Sequence, residues 1–159
     1  MNQLFLITGG NIGDRKRNLE RAATLIQKRV GKIMTCSKMY ETEAWGITDQ
    51  PSFYNQVLII ESKLSAREVL HIILNIEEEM GRKRTVKNAA RIIDIDILFF
   101  NDEIVNEENL SIPHPEIGNR RFVLSPLNEI APGMLHPVFK KTIKELLSET
   151  KDLLKAVPV

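Results

Sequence analysis

The sequence contains a single cysteine, Cys36, among its 159 residues. An internal disulfide is therefore impossible, and a metal site built from cysteine thiolates is implausible. Such sparse use of cysteine is typical of proteins that stay in a reducing compartment, and we expect a cytoplasmic location.

Long apolar runs and an excess of one charge are also missing. No stretch approaches the roughly 20 apolar residues of a membrane-spanning helix, and the first residues lack the basic lead-in and apolar length of a secretory signal. The 22 Lys and Arg residues nearly balance the 21 Asp and Glu residues, for a net charge of +1. This balance argues against a protein that coats nucleic acid or an anionic membrane. With 43% hydrophobic residues, the composition predicts one globular domain, residues 1–159.

Hydrophobic patterning predicts the order β-α-β-β-α-β. The predicted strands are residues 4–7, 33–40, 53–61 and 92–100. One helix is expected between Asp14 and Gly31, and a second begins at the capping box of Ser65 and Glu68 and ends at Gly81. This order is typical of a ferredoxin-like α+β sandwich, a mainly antiparallel sheet with helices packed on one face. In the C-terminal extension we expect a short strand at 104–105, a loop at 111–121 and a helix at 142–150.

Two carboxylates interrupt the apolar strand at residues 92–100. Asp94 and Asp96 are two positions apart, so both should point to one side, while Ile93, Ile95 and Ile97 fill the other. Carboxylates this close repel each other in a half-buried site. A Mg²⁺ ion removes that repulsion, and it prefers one or two carboxylates together with phosphate oxygens and water. Salt bridges to the preceding segment are the alternative that these residues alone leave open.

A basic segment precedes this acidic pair. Residues 81–91 show no helix or strand pattern, and long patternless connections in a compact domain tend to be functional. Arginine can bind phosphate through two parallel hydrogen bonds. Cations beside a metal-binding acid pair therefore predict a polyphosphate site. The charged residues of the segment are all cations: Arg82, Lys83, Arg84, Lys87 and Arg91.

Three further features are weaker candidates. Residues 9–13, rich in glycine, follow a strand and open a helix, where backbone N–H groups can bind an anion, although a plain tight turn is the favoured interpretation. His114 lies between two prolines, which lowers its freedom and raises the prospect of a positioned role, although a lone histidine in a loop is usually a surface residue. Phe53 and Asn55 could hold a flat heterocycle by stacking and hydrogen bonding, although aromatic residues are more often part of a core.

Taken together, these residues resemble the 6-hydroxymethyl-7,8-dihydropterin pyrophosphokinase family. The resemblance runs along nearly the whole chain, and its most specific segment is Arg-Ile-Ile-Asp-Ile-Asp-Ile-Leu-Phe at residues 91–99. It implies a ferredoxin-like α+β sandwich. The other matching positions are residues 9–14, 40–42, 45–46, 49–51, 53, 55, 77, 81–82, 113–115 and 119–122.

The resemblance implies a Mg²⁺-dependent diphosphotransferase of folate biosynthesis. Such an enzyme moves the terminal diphosphate of ATP to the hydroxymethyl oxygen of the pterin and releases AMP. ATP and the pterin would be its partners, with two Mg²⁺ ions expected when ATP is bound. No nucleic-acid or membrane partner is implied, and nothing in the sequence requires more than a monomer.

By position, the resemblance also implies the roles of individual residues. Asp94 and Asp96 would hold the metal ions, and Arg82 and Arg91 would be the catalytic arginines. ATP would be bound by these two arginines and by Glu77, Arg84, Ile97, Ser111, His114 and Arg120. The pterin would lie between Phe53 and Phe122, and its other contacts would be Thr42, Ala44, Trp45 and Asn55.

Some positions depart from the family's usual pattern. Gly10 stands where serine is common, and Asn88, Ala89 and Ala90 replace an aromatic residue followed by Gly-Pro. Neither departure removes a metal ligand or a catalytic arginine. The effect of the second on the basic segment stays open.

Other functions fit the residues less well. The RRM RNA-binding domain shares the β-α-β-β-α-β order, but it needs exposed aromatics in a basic-aromatic motif on its first and third strands, which this sequence lacks. A ferredoxin-like regulatory domain has no use for the acidic pair. A nucleotide-sugar transferase with an Asp-x-Asp metal site usually has a longer chain.

Overall fold

Apolar strand residues and two well-capped helices build a layered α+β structure. The computed structural model describes residues 1–44, 49–82 and 90–159. Its strands are β1 (Asn2–Gly10), β2 (Lys32–Cys36), β3 (Tyr40–Thr42), β4 (Phe53–Ser62), β5 (Asp94–Phe100), β6 (Val105–Glu107), β7 (Leu110–Ile112) and β8 (Val157–Pro158). Its helices are α1 (Arg15–Arg29), α2 (Ala66–Glu79), α3 (Arg121–Ile130) and α4 (Ile143–Glu149), with a 3₁₀ turn at Ile117–Asn119.

The main sheet has the order β5-β1-β4-β3-β8, and β2 pairs with β4 as well. The strand pairs within the described residues are antiparallel. β4 pairs with β1 from Tyr54 to Ser62, whereas its other edge is shared by β3 near Phe53 and by β2 near Glu61. A separate hairpin joins β6 and β7. The predicted α+β class with a mainly antiparallel sheet is confirmed.

Helices cover both faces of this sheet, and each face has its own apolar core. Alternating strand residues such as Leu4, Leu6 and Ile60 pack against α1 and α2. The residues between them, including Phe5 and Ile59, pack against α3 and α4. The expectation of helices on one face therefore holds for α1 and α2 and is wrong for the two later helices.

The predicted starts of α1 and α2 are confirmed by their caps. The Asp14 side chain accepts a hydrogen bond from the backbone N–H of Arg17. Ser65 and Glu68 form the reciprocal capping box. These local hydrogen bonds satisfy N–H groups that have no partner within the helix, which is why they can be read from the sequence.

Two predicted segments differ from the structure. Residues 33–40 form two separate strands, since Ser37 leaves the ladder and its hydroxyl accepts from the N–H of Val57. Residues 111–121 were expected as a loop, yet they contain the end of β7, a 3₁₀ turn and the first residue of α3. No element was predicted for residues 122–130, which form most of α3, and Pro126 lies inside this helix, where proline normally disrupts the structure. Burial of Val123, Leu124 and Leu127 against the sheet offsets that cost.

A bulge in β5 changes which way its side chains face. Phe5 pairs with Phe99 and Leu6 with Ile97, so Leu98 is an additional residue on β5. Leu98 and Phe99 consequently both enter the α3/α4 core. Before the bulge the alternation is regular. The isoleucines at 95 and 97 face α1 and α2, so the two aspartates between and before them face the opposite side.

Within the part of the chain that the structure describes, none of the helices has the length and hydropathy needed to cross a bilayer.

Candidate active site

Two cavities adjoin at the N-terminal end of β5, where Asp94 and Asp96 lie. The first, of about 270 Å³, is lined by Phe53, Asn55 and Phe122 among others, and we call it the aromatic cavity. The second, of about 770 Å³, is lined mainly by polar and charged side chains, and we call it the polar cavity. The residues that line both are Arg91, Asp94, Asp96 and His114. Ligands in the two cavities would therefore meet at these four residues.

The sheet register brings the predicted residues together. Gly9 on β1 pairs with Asp94 on β5 and with Asn55 on β4. The three residues thus form one row across the sheet, and neighbours in such a row share a face. Thr42 on β3 pairs with Phe53 at the next position on that face. Residues far apart in sequence become one surface, which α3 covers with Phe122.

Two arginines hold the carboxylate of Asp94. Arg82 Nε lies 2.9 Å from Asp94 Oδ1, and Arg91 Nη1 lies 3.3 Å from the same oxygen. Arg82 also approaches Glu77, with 3.9 Å between Nη1 and Oε1. Ion pairing to the preceding basic segment, the alternative that the sequence left open, is thus present at Asp94.

The Asp96 side chain is exposed to solvent in the cavity. Protein atoms nevertheless crowd the space around it and displace part of its hydration. This desolvation raises the pKa of its carboxyl, and the charge of Asp94 raises it further, while His114 opposes the shift. A divalent cation between the two carboxylates would stabilise their charged forms, so the residues present fit Mg²⁺. Among the described residues, no group of three His, Cys, Asp or Glu side chains is placed to hold a metal ion. Phosphate oxygens and water would complete the coordination, as Mg²⁺ prefers.

Glu77 connects α2 to the strand that carries the acidic pair. Its Oε2 accepts a hydrogen bond of 2.7 Å from the backbone N–H of Ile95. The side chain is buried, and burial raises the pKa of its carboxyl to about 7, against the opposing effects of the Ile95 hydrogen bond and Arg82. Glu77 therefore fixes the position of β5 beside the polar cavity.

The turn after β1 positions the backbone of Arg91. The buried Asn11 side chain accepts from the N–H of Arg91 at 2.7 Å and donates to Gln50 and to the carbonyl of Pro51. The backbone N–H groups of Asn11 and Ile12 both donate to the Arg91 carbonyl, at 2.8 and 3.2 Å. Because these N–H groups are occupied, the turn acts as a structural tie to Arg91. The sequence named the turn but not this role of Asn11.

The two glycines at the end of β1 permit close approaches. A Cβ atom added at Gly9 would lie 2.1 Å from the Asn55 side-chain oxygen, and one at Gly10 would lie 2.3 Å from the Ile92 carbonyl oxygen. Both distances are well below van der Waals contact. In this chain, the absence of a side chain at Gly10 therefore lets the Arg91–Ile92 backbone lie directly against the turn.

The aromatic cavity combines ring faces with buried polar groups. Asn55 and Thr42 are buried, and the Thr42 hydroxyl oxygen has no hydrogen-bond partner among the described residues. Arg120 lies 5.6 Å from the Phe122 ring centre and 3.7 Å from a Glu116 carboxylate oxygen. Such a cavity suits a flat ligand with a polar edge.

His114 is fixed at the boundary of the two cavities. Its backbone N–H donates to the Leu98 carbonyl at 3.0 Å, and its Nδ1 accepts from the N–H of Glu116 at 3.1 Å. With Nδ1 occupied, Nε2 is the nitrogen that a ligand would meet. These two hydrogen bonds hold the histidine in place, and its role stays a prediction.

The structure brings together most of the residues that the sequence assigned to ATP and the pterin. Glu77, Arg82, Ile97 and Ser111 line the polar cavity, while Arg120 lines the aromatic cavity. Ala44 is partly buried and is not among the residues that line either cavity. Trp45 and Arg84 lie outside the described residues. Residues that the sequence did not assign also line the aromatic cavity: Glu43, Leu98, Glu116, Val123 and Leu154.

The sequence matches known proteins along most of its length. The family model described as 7,8-dihydro-6-hydroxymethylpterin-pyrophosphokinase (HPPK) matches residues 5–132. The 2-amino-4-hydroxy-6-hydroxymethyldihydropteridine pyrophosphokinase of Aquifex aeolicus is 38% identical over 94% of this chain and 92% of that protein. The protein of the same name from Bacillus subtilis is 40% identical over 81% of this chain and 78% of its own length. The folic acid synthesis protein fol1 of Schizosaccharomyces pombe is 37% identical over 91% of this chain, which spans 20% of fol1.

The fold also matches solved structures. The crystal structure of wild-type Plasmodium falciparum HPPK-DHPS with SDX-DHP aligns with a TM-score of 0.75 and 22% identity, over 94% of this chain and 43% of that one. The α+β fold places Arg91, Asp94, Asp96 and His114 where the two cavities meet. The chain belongs to the HPPK family. The resemblance stated from the sequence, to a pyrophosphokinase of folate biosynthesis, is confirmed.

Proposed function

We propose that the chain transfers diphosphate from ATP in the polar cavity to 6-hydroxymethyl-7,8-dihydropterin in the aromatic cavity, and releases AMP. The observation that carries this proposal is that both cavities are lined by Arg91, Asp94, Asp96 and His114. The β-phosphate of one ligand and the hydroxymethyl group of the other would meet there. Holding two reactants in this way supplies much of the catalysis in phosphoryl transfer.

The pterin fits the aromatic cavity by shape and by polarity. Phe53 and Phe122 would stack on the two faces of the ring. The Asn55 carboxamide can donate and accept hydrogen bonds at the polar edge of the pterin. The buried Thr42 hydroxyl oxygen, which has no partner among the described residues, would form a hydrogen bond with the pterin.

Asp94 and Asp96 would hold Mg²⁺, with two ions expected when ATP is bound. The metal would supply positive charge to the phosphate oxygens and would lower the pKa of the attacking hydroxyl. Asp94 would then exchange part of its ion pairing with Arg82 and Arg91 for the metal. The freed guanidinium groups would bind equatorial phosphate oxygens as charge develops on them.

The reaction is a displacement at the β-phosphorus of ATP. The hydroxymethyl oxygen would form a bond to this phosphorus and release its proton to Asp96 or to solvent, while the bond from the phosphorus to the oxygen that bridges the α- and β-phosphates breaks. That oxygen leaves with AMP. Arg82 and Arg91 would stabilise the transferred group, and the arrangement of the two cavities would exclude water as a competing acceptor.

The frame that holds the site is, in our proposal, ferredoxin-like. The elements β1, α1, β2, β4, α2 and β5 have the order βαββαβ, and their strands lie in the order β5-β1-β4-β2. β3 and β8 would be additions at the outer edge. We expect residues 1–159 to form a single domain and to act as a monomer in the cytoplasm.

Identification of the nucleotide product tests the proposal. The protein, Mg²⁺, ATP and 6-hydroxymethyl-7,8-dihydropterin should yield AMP and the pterin diphosphate in equal amounts, separated by ion-exchange chromatography. Omitting the pterin or chelating Mg²⁺ with EDTA should abolish AMP formation. Production of ADP, or of AMP without the pterin, would contradict the proposal.

Replacement of Gly9 by alanine should weaken pterin binding by roughly tenfold, the effect of about 1–2 kcal/mol of overpacking. The new Cβ atom would lie 2.1 Å from the Asn55 side-chain oxygen and would displace that carboxamide from the cavity. The KM for the pterin should rise while the KM for ATP stays near the wild-type value. Gly133→Ala is the matched control, because no described atom lies within 4 Å of its added Cβ. An unchanged pterin KM in Gly9→Ala would show that Asn55 does not form hydrogen bonds with the pterin.

A further inference from the structure

The residues after α4 return to the sheet beside the aromatic cavity. β8 pairs with β3, Tyr40 with Pro158 and Glu41 with Val157, and the N–H of Val159 donates to the Met39 carbonyl at 2.9 Å. β3 is also the strand that carries Thr42 into the cavity. Residues 151–159, which we call the closing segment, are therefore held at the cavity's edge.

Asp152 joins the closing segment to the start of α3. The Arg120 side chain makes no capping hydrogen bond at this helix. Instead, Asp152 Oδ2 accepts from the backbone N–H of Arg121, the first residue of α3, at 2.9 Å. The Arg121 side chain donates to the Asp152 carbonyl in return. Asp152 thereby satisfies an N–H group that a helix leaves without an internal partner, and it fixes the turn that carries Phe122.

Leu154 is brought into the aromatic cavity by the same aspartate. Asp152 Oδ1 accepts from the N–H of Leu154 at 3.0 Å, which turns the chain at this point. Leu154 is partly buried and lines the cavity together with Phe122 and Val123. Its neighbour Leu153 points away and is 86% exposed. Of two adjacent leucines, one contributes to the cavity wall and the other contacts solvent.

We infer that Leu154 and Asp152 are part of the acceptor site. Leu154 is a specificity-determining residue that contributes an apolar wall against the flat heterocycle, and Asp152 is a positioning residue that holds Phe122 over it. This inference rests on the proposed function, which places the pterin in the aromatic cavity. Both residues lie beyond residue 132, where the match to the family model ends. The acceptor site thus extends into a part of the chain that the family pattern does not cover.

A matched pair of leucine variants tests the wall. Leu154→Ala should raise the KM and the Kd for the pterin by roughly tenfold, as expected for apolar contacts removed from a ligand cavity. Its KM for ATP should stay unchanged, because Leu154 does not line the polar cavity. Leu153→Ala should match the wild type in both constants. Steady-state kinetics and equilibrium titration with the pterin, read by fluorescence, measure these values.

Asp152 is tested by a graded pair of variants. Asp152→Ala removes both side-chain acceptors and should raise the pterin KM about tenfold, whereas Asp152→Asn keeps one acceptor and should restore most of the affinity. The KM for ATP should be unaffected in both. Thermal unfolding of each variant separates this effect from a general loss of stability, which would lower the folded fraction and the apparent kcat without a selective rise in the pterin KM.

The outcomes separate this inference from the function on which it rests. If the wild type forms AMP only with the pterin, but Leu154→Ala keeps the wild-type pterin KM and Kd, the inference is overturned and the function stands. Equal increases in the constants for ATP and the pterin would also overturn it, since the segment would then act on the fold alone. If the wild type forms no pterin-dependent AMP, the function and this inference both fail.

Discussion

Asp94→Asn and Asp96→Asn should each reduce pterin-dependent AMP formation by roughly 10²–10³-fold or more, the loss expected when a principal electrostatic contact of the transition state is removed. Asn is similar in shape to Asp but carries no charge, so Mg²⁺ and the phosphate groups would be bound less well. The kcat at saturating Mg²⁺, ATP and pterin is the measurement. Asp102→Asn, in the exposed turn after β5, is the control for loss of one negative charge.

The two substitutions should differ in their effect on stability. Asp94 is paired with Arg82 and Arg91, so its replacement removes favourable contacts and should lower the Tm. Asp96 has a raised pKa because the protein desolvates it. A carboxyl with a raised pKa in the folded state stabilises the fold when protonated, and that contribution is lost as the pH rises through the folded-state pKa. Asp96→Asn should therefore keep or increase the metal-free Tm at neutral pH.

Full pterin-dependent activity in either Asp94→Asn or Asp96→Asn would contradict the assignment of these residues to the metal.

Arg82→Ala and Arg91→Ala should lower kcat by about 10²–10³-fold and change the KM for ATP much less. Both guanidinium groups lie against Asp94 at the boundary of the two cavities, where charge would develop during transfer. Arg91→Ala should leave the local backbone in place, because Asn11 binds the main-chain N–H and the Arg91 carbonyl accepts from the same turn.

A surface arginine provides the control for these variants. Arg67 lies on α2 and pairs with Glu107, and both side chains are more than half exposed. Arg67→Ala should retain wild-type kcat, since exposed ion pairs contribute little. Equal losses in kcat and in ATP affinity for the Arg82 and Arg91 variants would assign these residues to binding alone.

Local sequence signals predicted the elements that carry the site. The caps at Asp14 and Ser65, the apolar periodicity of two helices and the isoleucines of β5 act over a few residues, so they can be recognised without a structure. The acidic pair and the arginines before it were likewise visible, because their charges stand out in an apolar strand and a patternless segment. These residues alone predicted a metal and polyphosphate site, and the resemblance to a family then gave the individual roles and the pterin acceptor.

Features that depend on contacts between distant residues could not be predicted in this way. Asn11 reaches Arg91 across 80 positions, and Asp152 reaches Arg121 across 31. Neither pair leaves a local pattern. α3 was not predicted; it contains Pro126, and its Val123, Leu124 and Leu127 are buried in a core that they share with distant strand residues. Leu153 and Leu154 are the same residue type, and only the folded chain shows that Leu154 lines the cavity while Leu153 is exposed.

The position of each phosphorus atom after one turnover tests the central claim most directly. ATP labelled with ³²P at the α-, β- or γ-position is incubated in separate reactions with the protein, Mg²⁺ and 6-hydroxymethyl-7,8-dihydropterin, and the products are separated. We propose that the diphosphate group moves between ligands that meet at Asp94 and Asp96. The β- and γ-labels should therefore both enter the pterin product, and the α-label should stay in AMP. Transfer of the γ-label alone, with the β-label recovered in ADP, would contradict the proposed reaction.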